Sequence, residues 1–404
     1  MAGKSDPSHR PAPHSPERSP SRAAPFNPPN RFEPLHLDFE SECDPDPDSQ
    51  DRPTDRTIYL RDHAQSLITF NDSPDVGFDA GINVYRGCEH GCIYCYARPT
   101  HEFLGFSSGL DFEQTLMVKT NAPELLRNEL GAKSWRPQVL AMSGITDPYQ
   151  PVERKLQLTR RCLAVLAEFR NPVGIITKNQ LVTRDLDLLR QLNDYSAVAV
   201  YVSITTLDPA LRRVMEPRTA PPDARLRTIE RLAREGIPVG TLVAPIIPGL
   251  TDHEIPNIIS RAREAGAQFA GHVVLRLPYQ VKELFEAWLD RHFPDKKTRV
   301  INRLKAIRDG TLNTASFGSR MAGKGIFADQ IHQMFQVSCR KAGLLNPQPH
   351  LTVQHFRRYP DQLDLFANPS PPNPRKSPEP TRPPDGARPP TSSAAIPSSP
   401  HQPR

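Results

Sequence analysis

The sequence predicts an α/β chain: an open, partial (βα)6 TIM-type barrel, followed by a helical C-terminal extension. Two observations predict it. Six short apolar or β-branched runs alternate with longer amphipathic stretches across the middle of the chain. Proline is concentrated at the ends, with 12 of the 45 prolines in residues 1–55 and 13 in residues 367–404. Strands alternating with helices imply βαβ units on a parallel sheet. Six units are too few to close an eight-stranded barrel.

The strands are expected in order. A run at 81–85 comes first, and Val139, Leu140, Ala141 and Met142 form the second after Pro137. Val173 to Thr177 is the third, and the β-branched run 197–204 the fourth. Residues 237–244 and 268–275 complete the set. Between them, 156–169 reads as a helix with apolar positions at Leu163, Val165, Leu166 and Phe169. Thr183 is a candidate N-cap for a helix through Leu186, Leu189 and Leu192. A third helix starts at Pro222 or Asp223 and stops at Gly236, and a fourth spans 252–265 before Gly266. Beyond residue 280 the pattern becomes helical, at 281–291, 298–308 and 326–342. The glycine-rich run 317–325 between the last two is a linker or a phosphate-contacting loop, though not a P-loop, because G-x4-G-K-[ST] is absent.

The ends differ from the middle. Residues 1–55 carry a net charge of −5 and residues 367–404 carry +3, leaving +8 on the body of a chain whose total is +6. The ends have few long apolar runs, so they cannot bury enough surface to offset ordering entropy, and both are expected to be disordered tails. The expected organisation is a tail at 1–55, a barrel at 56–280, a helical extension at 281–366 and a tail at 367–404. A basic body permits attraction to nucleic-acid phosphates. No run approaches 18 apolar residues, which argues against a membrane span, and residues 1–7 lack the apolar core of a secretory signal. Six cysteines, three of them clustered, do not form a disulfide framework. A cytoplasmic chain is expected.

The densest chemistry lies in Tyr85-Arg86-Gly87-Cys88-Glu89-His90-Gly91-Cys92-Ile93-Tyr94-Cys95-Tyr96. Cys88, Cys92 and Cys95 form C-x3-C-x2-C, with no further cysteine before Cys162. Iron–sulfur clusters are held by thiolates, four for a cubane. Three close thiolates can hold three irons and leave the fourth open to a small molecule. Structural zinc prefers four ligands. His90 can be offered as a fourth ligand, but it lies between Cys88 and Cys92 and would have to fold back inside a very short loop. A non-catalytic zinc- or cluster-bearing nucleic-acid module is the alternative from a different functional class.

This run resembles the cluster motif of the radical S-adenosylmethionine (SAM) superfamily. Residues 81–88 and 95–98 are similar to the branch related to spore photoproduct lyase, and Arg98-Pro99-Thr100-His101-Glu102-Phe103-Leu104-Gly105-Phe106 resembles one uncharacterised bacterial subfamily of that branch. The resemblance extends over about residues 56–345. It implies a (βα)6 barrel with a [4Fe-4S] cluster on Cys88, Cys92 and Cys95. It also implies reductive cleavage of SAM to a 5′-deoxyadenosyl radical that abstracts hydrogen from a substrate, and an outside electron donor such as a flavodoxin or ferredoxin. Nucleic acid is the first choice of substrate. Sites in such folds lie at the C-terminal ends of the strands, and the resemblance places SAM contacts there: Tyr94 by the adenine, a hydroxyl or carboxylate from Ser143 or Asp147 on the ammonium group, Lys178 on the carboxylate and Ser203 at the ribose or methionine end. Arg218 is a further candidate anion contact. Each has a plainer reading, as packing, turn or solvated residue. One departure bears on the reaction. Spore photoproduct lyases carry a hydrogen-donating cysteine after the second strand, where this chain reads Met142-Ser143-Gly144. Repair of spore photoproduct itself is therefore in doubt.

Overall fold

The computed structural model describes residues 22–32, 57–314, 316–344 and 348–358. Ten strands occur among them: β1 (Ile58–Arg61), β2 (Ile68–Phe70), β3 (Ala80–Ile82), β4 (Tyr85–Arg86), β5 (Thr115–Val118), β6 (Leu140–Met142), β7 (Val173–Thr177), β8 (Val198–Ser203), β9 (Val239–Ile246) and β10 (Phe269–Val274). The main sheet has the order β10-β9-β8-β7-β6-β3-β2. Its six strands from β3 to β10 are parallel and adjacent in chain order, with registers such as Ala80 opposite Leu140 and Val173 opposite Val198. They coincide with the six expected runs. β2 pairs antiparallel with β3 at one edge, and β10 ends the other, so the sheet is open. β1, β5 and β4 form a small second sheet, because Tyr85 and Arg86 leave the main sheet to pair with β5.

Helices cover the sheet and close each crossover: α1 (Leu110–Gln114), α2 (Ala122–Gly131), α3 (Glu153–Leu156), α4 (Leu158–Phe169), α5 (Leu186–Asn193), α6 (Pro209–Met215), α7 (Pro222–Arg234) and α8 (Ile255–Glu264). Each long helix buries one stripe at i, i+3, i+4 spacing. In α7 this is Leu226, Ile229 and Leu232, and in α8 it is Ile255, Ile258, Ile259 and Ala262. Strands sandwiched between helices and a filled interior need apolar residues on both faces; in β8, Val198, Val200 and Val202 on one face and Ala199 on the other are all buried.

Two barrel-helix starts differ from expectation in their caps, and the helix expected over 298–308 begins four residues earlier, at Pro294. The helix expected over 156–169 is broken at Gln157, whose φ is 52°. The buried Glu153 carboxylate accepts from the Thr159 and Arg160 amides, so α4 begins afresh on that side-chain cap. Thr183 caps nothing. It lies inside a 3-10 turn, Gln180–Asp185, which is capped by Asn179, whose Oδ1 accepts from the Leu181 amide.

The extension comprises α9 (Val281–His292), α10 (Pro294–Ile307) and α11 (Ile326–Ala342). α9 and α10 pack in a second core with the cysteine loop, around Phe285, Trp288 and Leu304. α11 belongs to the barrel core through Ala328, Ile331, Phe335 and Cys339. Cys162 and Cys339 are both buried, as expected of packed thiols. The run 317–325 is tied to Asp75 and to the end of β10. Arg320 pairs with Asp75 at 2.6 Å, the Gly318 amide donates to Asp75, and the Val274 amide donates to Met321 O. It is a linker.

The stretch expected to be a free tail departs from that reading in part. Residues 22–32 sit on the domain, with Ala23, Ala24 and Pro28 buried. Polar side chains and backbone groups hold this proline-rich segment through hydrogen bonds, which composition does not reveal. The expectations for residues 1–21, 33–55 and 367–404 fall outside the described residues. No helix among the described residues is long and apolar enough to cross a membrane.

Candidate active site

The cysteine loop begins where β3 and β4 end, at the C-terminal edge of the parallel sheet. Its backbone is wound in short turns: the Gly91 amide donates to Cys88 O (3.2 Å), Cys95 to Cys92 O (3.2 Å) and Arg98 to Cys95 O (3.3 Å). Gly91 has φ of 63°, and a Cβ there would lie 2.7 Å from the Glu113 carboxylate, so both the backbone and the close approach demand glycine. Arg98 is fully buried and reaches back beneath the loop. It donates to Cys92 O (3.0 Å), Gly91 O (3.2 Å) and Gly109 O (2.8 Å), and pairs with the buried Glu113 at 2.5 Å.

Cys88 and Cys92 are buried, Cys95 is partly exposed, and none is in a disulfide. Burial pushes the Cys92 thiol well above its ordinary range, with Glu216 adding to the rise, and raises Cys95, with Cys88 adding to it. Protonated thiols give up their protons when they ligate a metal. The donor set fits a thiolate-held cluster: three thiols on one loop, close enough that their charges act on one another. His90 does not offer itself as a fourth ligand. Its Nδ1 faces the Asp147 carboxylate at 3.3 Å and its Nε2 faces Asn179 Nδ2 at 3.2 Å. Among the described residues, no three His, Cys, Asp or Glu side chains converge as a one-ion zinc site requires.

His90 organises the floor of the site. Burial pushes its imidazolium down, but Asp147 outweighs burial and lifts the pKa to about 9. Asp147 stays below the ordinary carboxylate range: burial acts against ionisation, and His90 overcomes it. The Asp147 carboxylate also accepts from Thr177 Oγ1 and from the amides of Lys178 and Tyr149, each at 2.8 Å. It thereby ties the loop after β6 to the end of β7. Lys178 extends from there and donates through Nζ to Ser203 Oγ (2.9 Å), and its ammonium lies 5.9 Å from the Tyr94 ring centroid. Ser203 and Thr205, on one face of β8 and its continuation, both donate to Ala244 O.

Tyr94 is buried and anchored by its hydroxyl, which donates to Glu216 and lies 3.2 Å from Thr205 Oγ1. Glu216 is paired in turn with the buried Arg225. Burial acts to raise the Glu216 pKa, but Arg225 first, then Lys178 and Tyr94, hold it down at about 2.

The structure therefore brings Tyr94, Asp147, Lys178 and Ser203 together around the cysteine loop. Ser143 lies at the end of β6 with φ of 141°, a backbone that L residues seldom adopt, and its hydroxyl donates to Thr146 O. Arg218 pairs with the buried Glu89 at 3.0 Å and donates to Thr57 Oγ1 at 3.4 Å. The sequence reading missed Glu89, Arg98, Glu113, Glu216 and Arg225. Polar residues on helices and loops look solvated in one dimension. The one available signal was the arginine three residues after Cys95.

Residues 82–262 match the family model of the Radical SAM superfamily. The chain carries a radical SAM domain. That domain is similar to an uncharacterised protein of Mycobacterium tuberculosis, 38% identical over 220 residues that cover 54% of this chain and 65% of the relative. The chain thus spans just under two thirds of that relative's length. It is also similar to the radical SAM Nalpha-GlyT isomerase of Pseudomonas phage M6, 26% identical over 191 residues that cover 47% of this chain and 37% of the relative. In fold, the radical SAM domain resembles spore photoproduct lyase complexed with dinucleoside spore photoproduct. The TM-score is 0.52 at 15% identity, covering 70% of this chain and 79% of that one.

Proposed function

We propose that the chain is a radical SAM enzyme, with Cys88, Cys92 and Cys95 as the ligands of a [4Fe-4S] cluster. When bound, the cluster and SAM supply one-electron cleavage of a sulfonium and hence hydrogen abstraction from carbon. The observation that carries the reading is a loop of three thiols outside any disulfide, at the C-terminal end of the first parallel strand, inside a matched radical SAM domain. The chain's own residues have distinct tasks. Arg98 fixes the loop carbonyls from below. The His90–Asp147 pair locks the neighbouring loop, and the Tyr94–Glu216–Arg225 chain ties the loop to β8 and α7. Lys178 presents a cation beside the thiols, suited to the SAM carboxylate, and Ser203 fixes its direction. An external one-electron donor, such as a flavodoxin or ferredoxin, completes the system.

For the substrate we propose nucleic acid presenting unstacked bases. The body carries +8. Three exposed aromatics carry an arginine over the ring: Tyr96, next to Cys95, has Arg276 5.0 Å from its centroid, Tyr279 has Arg31 at 3.6 Å and Phe317 has Arg320 at 4.7 Å. Aromatic faces with adjoining cations are the usual platform for single-stranded bases. The lyase of similar fold was crystallised with a dinucleoside photoproduct.

Anaerobic purification with iron and sulfide analysis tests the first proposal. About four irons and four sulfides per chain, with SAM cleavage on reduction, are expected; one zinc without SAM turnover would overturn it. Oligonucleotide binding that weakens steeply with salt tests the second, and a flat salt response would remove it.

A further inference from the structure

The segment 22–32 is more than a cover. The Ala24 amide donates to Glu113 Oε1 (2.9 Å) and the Ala23 amide to Glu113 Oε2 (3.3 Å). Arg22 donates to Glu113 O at 2.6 Å and to Thr57 Oγ1 at 2.9 Å. Glu113 is the buried partner of Arg98, whose guanidinium holds the carbonyls of Gly91 and Cys92. Two backbone amides from outside the barrel therefore complete the solvation of the carboxylate that orients the cysteine loop.

The rest of the segment grips the turn that follows the loop. Asn27 exchanges hydrogen bonds with Asp111, Ser107 donates to Pro28 O at 2.6 Å, and Asn30 donates to Glu102 O and Phe106 O. Arg31 pairs with Glu102. The fit is close at Gly109, where a Cβ would lie 2.1 Å from Phe26 O and 2.8 Å from Asn27 Cα.

We propose that residues 22–31 form a positioning strap: docked on Glu113 and on the 98–109 turn, they hold the cysteine loop in its ligating shape. A buried carboxylate that loses two donors must take up water or shift toward others, and Arg98 can satisfy it only by releasing the loop carbonyls. The strap belongs to the cluster apparatus if the proposed function is right. Its coupling to the loop stands apart from that reading.

The test is hydrogen exchange by mass spectrometry on the full chain without metal. Gly109→Val expels the strap by steric conflict. Ala24→Pro combined with Asn30→Ala removes donors at both ends and leaves Glu113 and Arg98 intact. In both variants, exchange in peptides covering 88–98 is expected to rise at least tenfold, because those amides are bonded within the loop, while β7 and β8 keep wild-type rates. Fast exchange at 22–32 with an unchanged cysteine loop would overturn the proposal. If Gly109→Val also loses protection in β7 and β8, the donor-removal variant decides by the same criterion. Iron loss to a chelator, measured on reconstituted protein, reads the second link. Faster loss in both variants supports the strap as part of the cluster apparatus. Raised exchange with unaltered iron loss upholds the strap and counts against the loop as the cluster's seat.

Discussion

Replacing Arg225 with methionine isolates what a single buried charge does for this site. Arg225 is about 1% exposed and Glu216 is fully buried. The guanidinium also donates to Ala220 O and Ser203 O, each at 2.9 Å. Removing one partner of such a pair costs about 3–5 kcal/mol, because a charge is left buried and unpaired. The remaining carboxylate has an escape, since it can take a proton. With Arg225 present it is held at about 2, below the ordinary 4.5. Its contribution is therefore full above pH 4.5 and is lost as pH falls through 2. Without Arg225, burial is opposed by Lys178 and Tyr94 alone, and the carboxyl is expected to rise above its unfolded value and take up a proton in the folded state. Each pH unit above the unfolded value then costs about 1.4 kcal/mol. The destabilisation of Arg225→Met relative to wild type is thus expected to shrink by up to about 2.7 kcal/mol between pH 7 and pH 5. Urea unfolding of the metal-free chain at the two pH values measures it. Adding Glu216→Gln to the variant should abolish the pH dependence. A loss equal at both pH values would refute the reasoning and leave Arg225 as a packing and carbonyl-bonding residue only.

Other perturbations have separate readouts. Simultaneous Cys88→Ala, Cys92→Ala and Cys95→Ala should eliminate bound iron, while the metal-free protein keeps its far-ultraviolet circular dichroism. Gly91→Val forces a side chain into Glu113 at a positive φ, and is expected to lower stability by about 2–3 kcal/mol and to speed iron loss. Lys178→Met should weaken SAM binding at least tenfold by equilibrium dialysis and leave iron content unchanged. The logarithm of single-stranded oligonucleotide affinity should fall linearly with the logarithm of salt concentration, with a slope of about −0.7 per phosphate contacted.

The barrel was legible because its signals are local. Six apolar runs alternating with amphipathic helices predict six parallel strands, and the turn glycines Gly236 and Gly266 close the helices where expected. The misses are also local in origin. Gln157 looks like any helical residue until Glu153 folds back to cap α4, and Asn179 displaced Thr183 as the cap of the following turn. The tail at 22–32 has a composition that cannot form a core of its own, yet it orders where a preformed surface supplies partners for its backbone.

The sequence by itself determined the three thiols, their spacing, the loop that carries them and the barrel edge from which the loop starts. All of these lie within one strand and its continuation. Only the tertiary structure decided which charges serve that loop. Tyr94 meets Glu216 across 122 positions, Glu89 meets Arg218 across 129, and Ala24 meets Glu113 across 89. Such partners are chosen by where the sheet and its crossovers carry them. A buried charge must then find its complement within about 3 Å or lose its ionisation.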